Sequence, residues 1–360
     1  MSKRKVYMAI DAHARHCVLG WMTAVGKFQR SWTFRTSEEE LIRHVEQVDS
    51  GIKILVIEEG SLTQWIAQTV RPYATEVVIA NPHENHLISR NAMKGDKVDV
   101  RQLCRLLRLG ELKHVYHPED DHRAVFKAAV KQYLDFRDQQ TQLKRKIKAK
   151  YRTWGVQDID GTRVYNPAKR GDFLSQLKLK VIRHQVERLY AVLDATLQMQ
   201  AAARQEAMVL SRRYPEVEQF KRMPGVGPIG AMIFDAYIQT PHRFTRKSAL
   251  WRYCQLGVSD RTSDGKPLGY KHLDKAGNSE LKAMSYRAFL AALRSRCENE
   301  VRQFFEKSLS RTHSSTNARL NTQRKIISVL HGIWRKEAEY DAKLFLGSEQ
   351  TALTEQRQLA

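Results

Sequence analysis

Four acidic residues stand where their chemistry could combine. Asp11 closes an apolar run in Ile10-Asp11-Ala12-His13, and Glu58 closes another in Ile57-Glu58-Glu59-Gly60. Asp96 and Asp99 are three apart in Lys94-Gly95-Asp96-Lys97-Val98-Asp99, at the start of a predicted helix, and that spacing puts both on one helical face. Carboxylates at strand ends and at a helix start can converge across a layered α/β domain. Like charges gathered in this way need a cation. Mg2+, with Mn2+ as its alternative, takes hard oxygen ligands from a few carboxylates, water and phosphate. Two such ions about 3.5–4 Å apart are a common device for phosphodiester chemistry. Each residue alone also has a structural explanation: Asp11 as a turn cap, Asp96 and Asp99 as acids favoured at a helix N-terminus. His13 is either a structural residue of the same strand end or a metal or phosphate contact.

Three other stretches bear on chemistry. Met223-Pro224-Gly225-Val226-Gly227-Pro228 is a glycine-proline turn between two short helices, preceded by Lys221 and Arg222. Gly225 and Gly227 there either let a helix-hairpin-helix approach a phosphate closely or simply make a tight turn. Lys144, Arg145, Lys146, Lys148, Lys150 and Arg152 crowd nine residues of one predicted helix. Their single sign favours a nucleic-acid contact over a merely solvated face. Arg261-Thr262-Ser263-Asp264-Gly265-Lys266 reads by composition as a loop, in which a hydroxyl flanked by Arg261 and Lys266 could attack a phosphate.

The elements that must position these residues fall into different patterns along the chain. Lys5 to Ile10, His16 to Ala24 and Phe28 to Phe34 read as strands, the last two joined by a Val25-Gly26-Lys27 turn, hence antiparallel hairpins. Ser37 and Glu40 form a capping box for a helix carrying Leu41, Ile42 and Val45. Ile52 to Ile57 and Glu76 to Ile79 are buried strands, the latter stopped by Asn81-Pro82, and Leu62 to Val70 is a helix. The order β-β-β-α-β-α-β-α predicts a three-layer α/β domain. From about Asp120 the pattern turns to long helices. Ala124 to Arg152 is one, Gly155 to Gly171 a loop. Ile182, Val186, Leu189, Leu193, Thr196, Gln200, Ala203, Ala207 and Leu210 then step by four and three, a heptad seam that predicts a pairing helix. A mainly helical unit begins near Glu216. Within it Ser259 to Asn278 reads as a long polar segment, with helices at Glu280 to Ala292 and Asn321 to Trp334.

Composition narrows the partners. The 360 residues hold 61 Lys and Arg against 39 Asp and Glu, a net charge of +22, which implies a polyanion, most often nucleic acid. A 42% hydrophobic content excludes a disordered tail protein, and no apolar run is long enough to span a bilayer. Met1-Ser2-Lys3-Arg4-Lys5 lacks the apolar stretch of a signal peptide. Cys17, Cys104, Cys254 and Cys297 are widely spaced, which predicts reduced thiols of a cytosolic protein rather than a zinc site or disulfides.

Taken in order, Ile10-Asp11-Ala12-His13, Ile57-Glu58-Glu59-Gly60, Lys94 to Asp99, Pro224 to Pro228 and Gly277-Asn278 resemble the DEDD transposases of bacterial insertion sequences, relatives of the Piv DNA invertase. The resemblance runs from Lys5 to about Trp334. It implies a RuvC-like domain of RNase H-type fold over residues 1–118. Over 119–213 it implies long helices with a coiled coil for oligomerisation, as a dimer or tetramer, and for nucleic-acid contacts. A C-terminal transposase domain would follow over 214–345 and a tail over 346–360. Asp11, Glu58, Asp96 and Asp99 match the family's carboxylate set, with Glu59 as a substitute for Glu58. Ser263, ahead of Gly277-Asn278, best matches its serine nucleophile, with Ser259 and Thr262 as fallbacks; Asp264 interrupts the usual Ser-Gly pair. The family's partners are element-end, junction and target DNA and a structured noncoding bridge RNA, and its setting is the bacterial cytoplasm near the nucleoid. The competing expectations are a junction-resolvase-like nuclease using water and a basic nucleic-acid-binding protein without catalysis.

Overall fold

The computed structural model describes residues 4–82, 85, 96–118, 121–263 and 266–346. The chain divides into two compact units, Met1–Glu119 and Asp120–Ala360.

The first unit is built on strands β1 (Lys5–Ala12), β2 (His16–Thr23), β3 (Phe28–Arg35), β4 (Ile52–Glu58), β5 (Glu76–Ala80) and β6 (His114–Val115), with helices α1 (Glu38–Glu46), α2 (Thr63–Val70) and α3 (Asp96–Leu109). The sheet order is β3-β2-β1-β4-β5-β6. Short turns make β1, β2 and β3 antiparallel, whereas the connections that contain α1 and α2 make β1, β4 and β5 parallel. The short β6 pairs antiparallel with β5 and was not foreseen. Alternation along the strands feeds two cores. Val6, Met8, Ile10, Leu55, Ile57 and Ile79 pack with Leu41 and Val45 of α1 and Ile66 and Val70 of α2. Ala9, Val18, Val56 and Ala80 meet Val100, Leu103 and Cys104 of α3 on the opposite face. Three layers result, as the element order predicted. Ser37 caps α1 as expected, its hydroxyl accepting from the Glu40 N–H, while the Glu40 carboxylate accepts from Arg43.

The second unit opens with α4 (Asp121–Thr153), the short α5 (Arg170–Leu174) and α6 (Lys180–Ser211). Helices α4 and α6 pack along each other. The heptad seam buries Ile182, Val186, Leu193, Thr196, Ala203 and Ala207, with Tyr190 taking the place expected for Leu189. The helix that the seam finds is α4 of the same chain. At the far end Ile147 and Tyr151 of α4 close a small core with Val156, Ile159, Val164 and Phe173 from the connecting segment. At the near end Phe126, Val130 and Leu134 join the core of the following helices. These are α7 (Pro215–Lys221), α8 (Pro228–Ile238), α9 (Lys247–Tyr253), α10 (Ser279–Arg294), α11 (Glu300–Thr312), α12 (Ser315–Arg335) and α13 (Lys343–Leu346). Phe220, Phe234 and Trp334 form its aromatic centre, with ring centroids 5.0 to 6.3 Å apart.

One expectation is corrected. Much of the polar segment from Ser259 to Asn278 is a β-hairpin, β7 (Val258–Ser263) with β8 (Lys266–Leu273). In the sequence β7 is almost wholly polar and β8 offers only Leu268 and Tyr270 two residues apart, too short an alternation to mark a strand. No helix among the described residues is long and apolar enough to cross a membrane.

Candidate active site and nucleic-acid interface

Parallel register pairs Ile10 with Ile57, so Asp11 and Glu58 follow each other's neighbours at the adjoining C-terminal ends of β1 and β4. Neighbouring strands lie about 4.8 Å apart. Alternation puts both residues in phase with Ala9 and Val56, on the face covered by α3. Glu59 falls out of that phase and is exposed. The bend after β4 is fastened by Thr63, whose Oγ1 donates to the Glu58 carbonyl at 3.1 Å and accepts from the Gly60 N–H at 2.7 Å. Asp11 retains 15% of its side-chain exposure, and its Oδ2 lies 3.3 Å from Nε2 of the more open His13. The His13 backbone is held on both sides: its N–H donates to the His16 carbonyl at 3.0 Å, and Thr36 Oγ1 donates to its carbonyl at 2.7 Å. His13 is therefore part of a braced turn as well as a neighbour of Asp11. Burial raises the Cys17 thiol above its ordinary range beside that turn.

The direction of α3 follows from two glycines. A Cβ on Gly20 would stand 2.6 Å from Val100 Cγ1, and one on Gly26 would stand 3.2 Å from the Arg108 guanidinium carbon. Gly20 pairs with Ala9, and Gly26 lies in the β2–β3 turn. The helix thus runs from the Asp11 end of the sheet toward that turn, with its N-terminal residues at the carboxylate end. Asp99 is exposed there. Asp96 begins the helix one turn ahead of Val100, and its side chain lies outside the described residues, as do Lys94 and Gly95. Among the described residues no group of three or more His, Cys, Asp and Glu side chains is placed to hold a metal. Mg2+ keeps several waters and commonly takes only one or two protein carboxylates. The hard oxygens of Asp11 and Glu58 on adjoining strand ends fit that chemistry.

The basic run divides in two. Lys144 and Lys148 lie over the Tyr165 ring, Nζ to centroid 5.4 and 5.6 Å, and Lys150 donates to Gln185 at 2.9 Å. These three help hold the helical hairpin together. Arg145, Lys146 and Arg152 are exposed, Arg152 with Asp160 at 3.1 Å.

The two glycines of the Pro224 to Pro228 turn also differ. Gly225 has φ +85°, and a Cβ there would stand 2.1 Å from the Ala288 carbonyl oxygen, so contact with α10 requires glycine. Gly227 faces open space as the N-cap of α8. Packing likewise explains the Gly277-Asn278 pair. A Cβ on Gly277 would come within 2.5 Å of the Tyr253 carbonyl oxygen, while the Asn278 side chain caps α10 by accepting from the Leu281 N–H at 3.0 Å. In the hairpin Ser263 pairs with Lys266 and Thr262 with Pro267. The side chains of Ser259, Arg261, Thr262, Ser263 and Lys266, together with Asp264 and Gly265, lie outside the described residues.

Sequence reasoning missed two ion-pair clusters in the second unit. Arg123 of α4 donates to Asp235 of α8 at 2.6 Å and to Glu216 of α7 at 2.5 Å, with its guanidinium 4.1 Å from the Tyr214 ring centroid. Asp235 is wholly buried, and that burial raises its carboxyl well above the ordinary range; one guanidinium shared by two carboxylates offsets this only in part. Arg137 of α4 makes a two-pronged pair with Glu280 of α10 at 3.0 and 2.9 Å, which holds Glu280 below the ordinary carboxylate range. The partners are 93 to 143 residues apart in the chain, so no local pattern announces them.

Carboxylates on adjoining strand ends of one unit, and a basic surface on the other, suit a protein that works on a polyanion. Residues 217–306 match the family model described as Transposase IS116/IS110/IS902 family, which supports an insertion-sequence transposase, an enzyme with DNA as its partner. The match spans α7 to α11 and includes the Pro224 to Pro228 turn, the hairpin and Gly277-Asn278. No curated protein matches the chain.

Proposed function

We propose that the chain is an RNA-guided DNA recombinase of an insertion sequence, with Mg2+ held by Asp11, Glu58, Asp96 and Asp99 and with Ser263 as nucleophile. The observation that carries this reading is that Asp11 and Glu58 directly follow the paired Ile10 and Ile57 at the ends of parallel β1 and β4, in phase with the face that α3 covers. The mixed sheet, antiparallel through β3-β2-β1 and parallel through β1-β4-β5, is compatible with an RNase H-type domain. The transposase match over the segment that contains Ser263 supports the second half of the reading.

When bound, Mg2+ would neutralise charge developing on the phosphoryl oxygens. Asp11 and Glu58 would hold the ion at the C-terminal ends of the two central strands, facing the scissile phosphate. The Ser263 oxygen would form a bond to phosphorus as one sugar oxygen leaves, and the resulting phosphodiester to protein would be kept for rejoining. Arg261 and Lys266 would stabilise the charge on phosphorus. Arg145, Lys146 and Arg152 would contact nucleic-acid backbone, structured RNA being read largely through shape and phosphate. Target choice would rest on base pairing with the guide rather than on side chains.

The test uses protein co-expressed with its element's flanking noncoding region, incubated with Mg2+ and junction DNA and run on a denaturing gel. A protein-linked DNA band lost in both Ser263→Ala and Asp11→Ala is the expected result. Cleavage without such a band, unchanged in Ser263→Ala, would replace the serine with water.

A further inference from the structure

A cleft of about 340 Å³ opens in the second unit between α4, α6, α10 and the first turn of α8. Three arginines from three helices line it: Arg137 of α4, Arg204 of α6 and Arg287 of α10. Two carboxylates answer them, and both hold Arg137: Asp138 accepts from its Nε and Nη2 at 2.9 and 2.7 Å. Glu280 takes both prongs of Arg137 and lies 3.8 Å from Arg287. Among the described residues Arg204 makes no ion pair, so three guanidiniums meet two carboxylates and the cleft keeps a net positive charge. Burial and the neighbouring Arg137 lower the Arg287 pKa, which marks two guanidiniums crowded together.

The floor is formed by the start of α8, and its glycines differ from Gly225 in what they permit. Gly227 has nothing within 4 Å of a Cβ position, and a Cβ on Gly230 would meet Met284 Cγ at an ordinary 3.6 Å. Neither packing nor a left-handed backbone requires glycine at either place. Glycine inside a helix is less stable than alanine, so its use at Gly230 calls for another reason, and close approach by a ligand supplies one. The first-turn N–H groups of a helix also lack intrahelical acceptors. Guanidinium forks match phosphate oxygens in a way that ammonium groups do not. Arg204 is exposed and Arg287 half-exposed, so the charges sit at a rim reached from outside. That arrangement suits a phosphate projecting from a rigid polymer better than an enclosed small molecule.

We propose that this cleft seats a backbone phosphate of duplex DNA, gripped by Arg204 and Arg287 over the glycine-opened first turn of α8, with Arg137 held in place behind them by Glu280 and Asp138. The inference rests on DNA as the partner in the function proposed above, and it adds a phosphate site to that function.

The experiment measures binding of the full chain to a fluorescent DNA duplex of arbitrary sequence, and to an RNA hairpin, across a KCl series. Each phosphate contact contributes about 0.9 to the slope of log K against log salt on duplex DNA. The double variant Arg204→Gln/Arg287→Gln is expected to lower the duplex slope by about 0.9, with roughly tenfold weaker binding at low salt. Arg213→Gln, which removes an exposed arginine away from the cleft, is expected to leave the slope nearer wild type. Gly230→Ala is expected to raise the melting temperature while weakening DNA binding, a pairing that general loss of structure does not produce. A double-variant slope equal to wild type, or an equal loss with Arg213→Gln, overturns the proposal. Loss confined to the RNA hairpin overturns the assignment to DNA. A Ser263-dependent adduct alongside unchanged slopes would remove only the cleft. A changed slope without any adduct would keep the cleft and remove the serine chemistry.

Discussion

Each unit of this protein brings two carboxylates together, and the two pairs are treated in opposite ways. In the second unit Asp235 is fully buried and Glu216 is 13% exposed, and Arg123 is clamped between them and stacked on Tyr214. In the first unit Asp11 and Glu58 stand at strand ends, partly exposed, with the His13 imidazole 3.3 Å from Asp11. Asp235 is sealed from water, whereas Asp11 reaches the surface. A fully buried carboxylate paired with an arginine welds helices together, whereas carboxylates at the ends of adjoining strands suit a cation arriving from solvent. The residue types are the same, so environment decides which is structural.

The sharpest way to break this contrast is to remove an acid from the first unit's pair and the shared cation from the second's. Asp11→Ala is expected to reduce Mg2+-dependent DNA cleavage on the order of 10³-fold, the scale seen when one preorganised charge-stabilising group is lost. Its unfolding free energy should move by less than about 0.5 kcal/mol, as for substitutions outside packed cores. Cleavage assays and urea melts on the same preparation check both halves, and a large stability loss would mean that Asp11 is structural after all.

Arg123→Ala should do the reverse. It strips two enclosed carboxylates of their shared cation and is expected to destabilise the second unit by about 3–5 kcal/mol, as removal of one partner from a buried pair does. Unfolding curves followed by tryptophan fluorescence would report it, since Trp334 lies 5.3 Å from that guanidinium.

A smaller effect separates the second unit's pairs by pH. Arg137 holds Glu280 below its ordinary range, so the folded-state pKa is depressed. The stabilisation is fully present above the unfolded value of about 4.3. It is lost as pH falls through the lower folded value. Wild type should therefore lose about 1–2 kcal/mol on acidification that Glu280→Gln no longer has to lose. Parallel acid titrations of stability for the two proteins would measure the difference, and identical curves would refute it.

The least effect is expected on the basic helix. Lys146→Gln should lower the salt dependence of nucleic-acid binding by about 0.9 in slope. Lys148→Gln, which takes away a cation lying over Tyr165, should leave that slope unchanged and slightly loosen the hairpin.

Much of the first unit was legible because its strands alternate. Lys5 to Ile10, Ile52 to Ile57 and Glu76 to Ile79 are apolar runs bounded by turn residues, and each corresponds to a strand extended by a residue or two. Ser37 and Glu40 marked the start of α1 because a cap is a local interaction. The seam on α6 was legible as periodicity, although Tyr190 displaced Leu189 once the actual partner, α4, was in place. The hairpin around Ser263 was not, because its strands are mostly polar and carry only one short apolar alternation, Leu268 and Tyr270. The basic run could be counted but not divided, since only the position of Tyr165 and Gln185 sets Lys144, Lys148 and Lys150 apart from Arg145, Lys146 and Arg152.

By itself the sequence determined the positive charge, the α/β start and helical remainder, and the occurrence of acids at the ends of two apolar strands. These follow from composition and from periodicities of two and of three to four residues, which are properties of neighbouring residues. Tertiary structure alone decided that Ile10 pairs with Ile57, so that Asp11 and Glu58 adjoin. It alone decided that Arg123 serves Glu216 and Asp235, and that Arg137, Arg204 and Arg287 share one cleft. Those meetings join residues tens to more than a hundred positions apart, and their geometry arises only when sheet register and helix packing close the chain upon itself.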